Sequence, residues 1–278
     1  MTADARNVVI TGSTRGIGKG MAREFLNRGH NVVISGRTQD SVDAALADLK
    51  DAAEAKGARL AGVPCDVSEI TQVQSLWDKA VEHLGSVGIW INNAGRTNSL
   101  HKIATLPAEE FSGVVGTNLL GTMYGCQVAL RGMQAQGHGA LYNFEGFGSN
   151  GMQAPGNHIY GTTKYAITYF TKALINETKG GPVLVGYMSP GMVTTDLLLK
   201  GKDKIPPQVW EKRKKVFNIL ADHVETVTPF LVERVLANTE HGARLAWLTR
   251  KKSMWRFFKS RFSKRDLFAE LDAKAAQA

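Results

Sequence analysis

Short runs of apolar, β-branched residues alternate along this chain with longer stretches whose apolar residues recur at helical spacing. Few folds accommodate that alternation. The candidate strands are 8–10, 32–35, 60–63, 89–92, 141–144, 183–188 and 245–248. In the third intervening stretch Val73, Leu76, Trp77, Ala80, Val81 and Leu84 recur at i, i+3, i+4 and i+7, which marks one buried helix face. Strands that are apolar nearly throughout and separated by helices belong in a parallel sheet covered on both sides, an α/β fold. At 278 residues the chain suits one sizeable domain, expected over 1–249, with a basic extension over 250–278.

The first strand runs into TGSTRGIG and then a helical pattern. Such a turn lets backbone N–H groups approach a pyrophosphate at the positive end of a helix. Gly12, Ser13, Thr14, Arg15, Gly16, Ile17 and Gly18 are therefore candidate cofactor contacts. The second strand ends in ISGRT, without the acid that binds a ribose 2′-hydroxyl in NAD sites. Arg15, Arg37 and Thr38 at that corner suit a 2′-phosphate, because a guanidinium fork binds phosphate oxygens bidentately. NADPH/NADP is thus expected over NAD; both arginines could instead be solvated surface residues. Asp66 and Val67 end the third strand, where Asp66 either accepts from the adenine amino group or starts a helix.

Taken together, the motifs resemble the short-chain dehydrogenase/reductase family. The residues that carry the resemblance are Thr11, Gly12, Gly16 and Gly18, Asn92-Asn93-Ala94-Gly95, Asn118 in GTNLLG, Tyr160-x-x-x-Lys164, and Pro190-Gly191 with Thr195 in SPGMVTTD. The resemblance implies a Rossmann-type doubly wound, seven-stranded parallel sheet. It implies that Asn93, Ala94 and Gly95 line the cofactor and that Pro190, Gly191, Val193 and Thr195 hold the nicotinamide carboxamide. Within the family, NFEGFGSNG, the longer approach to YGTTK and the triple leucine 197–199 are similar to the chlorophyll b reductases.

Carbonyl reduction needs a hydride and a proton for the developing alkoxide. Tyr160 is the candidate proton donor. A free phenol has a pKa of about 10, and Lys164, one helical turn on, is expected to lower it. By the resemblance, Lys164 also binds the nicotinamide ribose and Asn118 anchors a proton-relay water. The family keeps a serine thirteen residues before the tyrosine, where this chain has Phe147. Its substitute is left among Ser149, ranked first, a protonated Glu145, and a backbone N–H of Gly146 or Gly148. Glu145, Gly146, Phe147 and Leu197 are the candidate substrate contacts, and the glycine-rich widening suggests a bulky, flat carbonyl compound. A lid is expected over about 197–225, around Pro206-Pro207.

Cys65 and Cys126 stand in separate apolar contexts without metal-ligand spacing, which fits a reducing compartment and no metal site. No apolar stretch approaches the roughly 18 residues needed to span a bilayer. The expected location is cytoplasmic, or plastid stroma in a photosynthetic eukaryote. Nine of the 34 basic residues lie between His241 and Arg265, with no acid among them; the 25 that remain equal the 25 acidic residues. On a helical wheel Met254, Trp255, Phe257, Phe258 and Phe262 share one arc of this segment. The aromatics could pack on the domain or a partner subunit, or lie on a membrane surface. Nucleic acid is not expected, since no recognition module accompanies the charge. The family resemblance suggests a homo-oligomer, dimer or tetramer, through its long fourth and fifth helices.

Overall fold

The computed structural model describes residues 6–195, 197 and 207–269. The chain alternates strand and helix: β1 (Asn7–Ile10), α1 (Gly16–Asn27), β2 (Asn31–Gly36), α2 (Gln39–Glu54), β3 (Leu60–Pro64), α3 (Ile70–Leu84) and β4 (Ile89–Asn92). Then come α4 (Ala108–Val115), a π-helical turn (Gly116–Leu120), α5 (Gly121–Gln136), β5 (Gly139–Phe144), α6 (His158–Glu177) and β6 (Val183–Ser189). The last part holds β7 (Met192–Val193), α7 (Pro207–Leu220), β8 (Ala221–Asp222), α8 (Val224–Ala237), β9 (Arg244–Ala246) and α9 (Arg250–Lys259).

Seven strands form one parallel sheet in the order β3-β2-β1-β4-β5-β6-β9. The order reverses between β1 and β4, so the loops that leave those two strands diverge to opposite faces and open a crevice at their C-terminal ends. Side-chain alternation along the strands fills two cores. Val8 and Ile10 of β1 join Phe25, Ile34 and Leu231 on the face covered by α1 and α8. Val9 joins Val33, Leu76, Trp90 and Leu141 on the face covered by α3 and α5. A second, two-stranded ladder pairs β7 with β8.

Two expectations need adjustment. The last strand begins one residue earlier and ends sooner than expected, because Arg244 pairs with Tyr187 and Ala246 with Ser189. The expected lid holds a helix over Pro207–Leu220, while Leu198, Leu199 and residues 200–206 lie outside the described residues. Among the described residues no helix is long and apolar enough to cross a membrane.

Candidate active site

The crevice begins at the glycine turn. Gly12 has a positive φ of 61°, and a Cβ there would lie 2.7 Å from the Ala94 Cα. Only glycine lets the first turn approach the loop after β4 this closely. That loop is tied in turn to the glycine turn. Thr11 Oγ1 accepts the N–H groups of Asn93 and Ala94, each at 3.0 Å, and the Asn93 amide donates to the Thr11 and Gly12 carbonyls at 2.9 Å. Beyond it, α1 starts with no acid in its first turn and no side-chain cap. Its first N–H groups therefore present an uncompensated positive end. Thr195 of the loop after β7 stands opposite, its Cγ2 3.6 Å from where a Gly16 Cβ would be. Crevice, helix end and facing threonine together fit a dinucleotide pyrophosphate.

Not every expected cofactor contact faces this crevice. Ser13 is buried; its hydroxyl donates to the Ile10 carbonyl at 2.6 Å and accepts the Ser35 N–H at 2.9 Å, while its N–H goes to the Ser35 carbonyl. It staples β1 to β2 and offers neither group to a ligand. Thr38 caps α2 by accepting the Ser41 N–H. Asp66 Oδ1 takes the Ser68 N–H and hydroxyl at 3.0 and 2.6 Å, which favours the helix-starting role. Burial pushes the Asp66 pKa up, but those bonds and the charges of Arg37 and Arg96 outweigh it and hold it low. Arg37 is exposed at the tip of β2, beside this acid. Val67 is buried and packs where a Gly121 Cβ would be. Pro190 is buried, Val193 belongs to the core, and Gly191 lies against Leu248. Leu197 is exposed.

At the far end of the crevice, Tyr160 and Lys164 occupy adjacent turns of α6, with the Lys164 Nζ 5.9 Å from the ring centroid. The helix start is braced from two sides. Asn98 is buried, accepts the Tyr160 N–H at 3.2 Å and donates to the Gly156 carbonyl at 2.7 Å. Asn118 sits on the π-helical turn, a distortion common at functional sites. It exchanges hydrogen bonds with the Arg96 backbone and donates to Thr163 Oγ1 at 3.0 Å; that hydroxyl donates to the Tyr160 carbonyl. Neither brace is local in sequence.

The loop after β5 carries the departure from the family. A Cβ at Gly146 would lie 2.5 Å from the Tyr160 hydroxyl, and one at Gly148 2.6 Å from the Gly161 Cα. The two glycines thus let the loop press directly on the first turn of α6. Three of the expected serine substitutes, Ser149, Glu145 and the Gly146 N–H, are otherwise engaged. Ser149 Oγ accepts the Gly146 N–H at 3.0 Å and donates to the Lys164 carbonyl at 3.2 Å. It is a staple from loop to helix, with no proton free for a substrate oxygen, and it also takes the Gly146 N–H out of contention. Glu145 is buried and accepts three hydrogen bonds from Arg244, from Nε to both oxygens and from Nη2 to Oε2 at 2.6 Å. Gripped by that fork it accepts and does not donate. Phe147, between the glycines, is half-buried.

Electrostatics corrects a further expectation. Burial pushes the Tyr160 phenol up to about 12. Lys164 does not counter this, because its Nζ turns to donate to the Phe144 carbonyl at 3.0 Å. The phenol therefore holds its proton at neutral pH. Burial lowers Lys164 itself to about 8, against the opposing charge of Glu145. Glu145, Arg244 and Lys164 form one charged group under the pair. Sequence reasoning missed Arg244, Asn98 and Thr163, because each reaches the site through tertiary placement. A buried acid at a strand end was the one available signal that a cation must lie nearby.

Fold and crevice define a Rossmann-type dinucleotide-binding protein that sets Tyr160 and Lys164 side by side. Residues 6–205 match the family model described as short chain dehydrogenase, and the chain belongs to that family. Within it the similarity runs to a branch with a specific name. "Probable chlorophyll(ide) b reductase NYC1, chloroplastic" of Arabidopsis thaliana is 36% identical over 261 residues, 89% of this chain and 51% of the relative. "Chlorophyll(ide) b reductase NOL, chloroplastic" of the same plant is 39% identical over 243 residues, 85% of this chain and 67% of the relative. The chain thus spans about half the length of the first of these. Among solved structures, a short-chain type dehydrogenase/reductase from Mycobacterium marinum has a TM-score of 0.75 at 26% identity and covers 88% of this chain and 94% of that one. A gluconate 5-dehydrogenase from Burkholderia cenocepacia, in complex with NADP and tartrate, shares the fold at a TM-score of 0.72 and 23% identity, covering 88% of this chain and 94% of that one.

Proposed function

We propose that this protein is an NADPH-dependent reductase of a bulky hydrophobic aldehyde, with the formyl group of chlorophyll b or its phytol-free form as the substrate. The observation that carries the reading is Gly146 against the Tyr160 hydroxyl, in the same loop whose acid–glycine run resembles the chlorophyll b reductases. Relatives that bear that name support the substrate class, and a plastid location accords with their chloroplastic designation.

NADPH, when bound, supplies the hydride. The chain's own residues do the rest. The α1 N-terminus holds the pyrophosphate, and Arg37 with Arg15 favours a 2′-phosphate over a 2′-hydroxyl. Tyr160 gives its proton to the carbonyl oxygen as negative charge develops there. Lys164, held by the Phe144 carbonyl and balanced by Glu145, keeps its charge 5.9 Å from the ring of the phenolate left behind. Asn118 and Asn98 keep the first turn of α6 still while this happens. With Ser149 and the Gly146 N–H engaged elsewhere, Tyr160 is the hydroxyl that meets the substrate oxygen.

The test is incubation of the purified chain with chlorophyllide b and either NADPH or NADH. Absorbance and product mass are followed together. The expected product is two hydrogens heavier and forms faster with NADPH. Turnover of simple ketones with none of chlorophyllide b would contradict the substrate, and equal rates with both nucleotides the cofactor preference.

A further inference from the structure

The segment after β9 is folded inside out for a water-soluble domain. Arg256 and Arg265 reach back to the protein, while the aromatics of α9 and of the turn after it face away. Asp222, at the end of β8, is 5% exposed and receives Arg256 Nη1, Arg265 Nη2 and the Trp247 Nε1, at 2.8, 2.8 and 2.7 Å. Arg256 and Arg265 also donate to the Leu220 and Ala221 carbonyls, at 3.0 Å each. Phe268 is buried against Trp210 and Phe217 of α7. The segment is therefore fixed to the body, and its outward face has a defined orientation.

That face carries Met254, Trp255, Phe257, Phe258 and Phe262, exposed by 73, 56, 47, 60 and 78%. Around them Arg250, Lys251, Lys259, Arg261 and Lys264 are exposed too, and no acid lies between His241 and Arg265. A domain that buries Arg256 while it leaves a tryptophan and three phenylalanines in water has an external apolar partner for them. The ring of cations sets the sign of that partner. A second copy docked by the same face would bring like charges together, since a two-fold interface apposes identical patches. Aromatics that enter an apolar layer under a rim of lysine and arginine match the headgroup region of a bilayer with anionic lipids.

We propose that α9 and the turn after it dock the protein on an anionic membrane surface, with Trp255, Phe258 and Phe262 inserted and the exposed cations on the headgroups. The Asp222 anchor sets the angle, so the membrane meets the molecule beside α7. The proposal stands apart from the substrate reading and survives its failure.

Truncation is a poor test, because it removes Arg256, Arg265 and Phe268, which brace α7. The full chain and the variant W255S/F258S/F262S are instead sedimented with vesicles of phosphatidylcholine alone or mixed with phosphatidylglycerol, at low salt. The variant should melt like the parent, its three side chains being exposed. Expected is retention of the parent on the mixed vesicles, reduced by about tenfold or more on phosphatidylcholine alone and in the variant. Equal retention of parent and variant, equal retention on both vesicles, or a parent left in the supernatant overturns the proposal. So does a dimer in the parent that the variant loses, which assigns the face to a second copy. Binding of a fluorescent oligonucleotide that the variant loses overturns it in favour of nucleic acid.

Discussion

A methyl group at position 146 would lie 2.5 Å from the Tyr160 hydroxyl, closer than carbon and oxygen can approach. Any side chain added there must move the ring. Gly146→Ala and Gly146→Ser are expected to lower kcat by about 100-fold, as a displacement near 1 Å does, with NADPH binding unchanged; a serine variant faster than the parent would contradict the packing. Protonation is testable at the next residue. Lys164 loses its proton as pH rises through about 8, so kcat/KM should fall there, and Glu145→Gln should move that limb to lower pH by removing the charge that raises Lys164. An unmoved limb would detach Glu145 from the pair. Tyr160 and Lys164 were legible from their spacing set among the cofactor motifs, since four residues on a helix fix their neighbourhood. The roles of Ser149 and Glu145 were not. A hydroxyl in a loop can face substrate or backbone, and Arg244 lies 99 positions from Glu145, brought near only by the β5-β6-β9 order.

Elements behave as their ends dictate. On the proposed NADPH reading, Arg37→Asp should raise KM for NADPH by about tenfold or more and leave KM for NADH nearly unchanged, because only NADPH offers a 2′-phosphate for the guanidinium fork to bind. At the other end of the chain, Asp222 holds two arginines and a tryptophan in a nearly dry place. Burial alone would raise its pKa; the bonds from Arg256 and Trp247 and the Arg256 charge prevail and depress it. A depressed acid contributes stability above its unfolded value and loses it as pH falls through the folded one. The anchor should therefore hold at neutral pH and release in acid below about 4. Asp222→Asn should cost about 3 kcal/mol in thermal unfolding by stranding the largely buried Arg256; an unchanged melting temperature would show the extension to be unanchored. The helix over the extension was readable from its aromatic arc. Its inversion was not, since only the fold supplies Asp222.

At the scale of the molecule, the strand alternation was enough to imply a parallel sheet with helices on both sides, because nothing else buries so many uniformly apolar strands. The reversal of strand order between β1 and β4 then explains why motifs from four distant segments converge on one crevice. Assembly is less legible, because an exposed side chain in one copy says nothing of its neighbour. Tyr165 and Tyr169 are 59 and 75% exposed on α6, which is the fifth long helix once α4 and α5 are counted as one through the π-helical turn, and so one of the two through which the family resemblance suggests assembly. We propose that this face pairs subunits. Sedimentation equilibrium should report a dimer or tetramer, and Tyr169→Glu should dissociate it; a parent monomeric at micromolar concentration would contradict the interface.

The central claim is that the Tyr160 phenol alone supplies the proton, without a serine beside it. Its most direct measurement is a single turnover of chlorophyllide b with saturating NADPH in the parent and in Tyr160→Phe, with nucleotide binding followed in parallel by fluorescence. A rate about 1,000-fold lower in the variant, with binding intact, is expected. A variant that reduces the aldehyde as fast as the parent would contradict it.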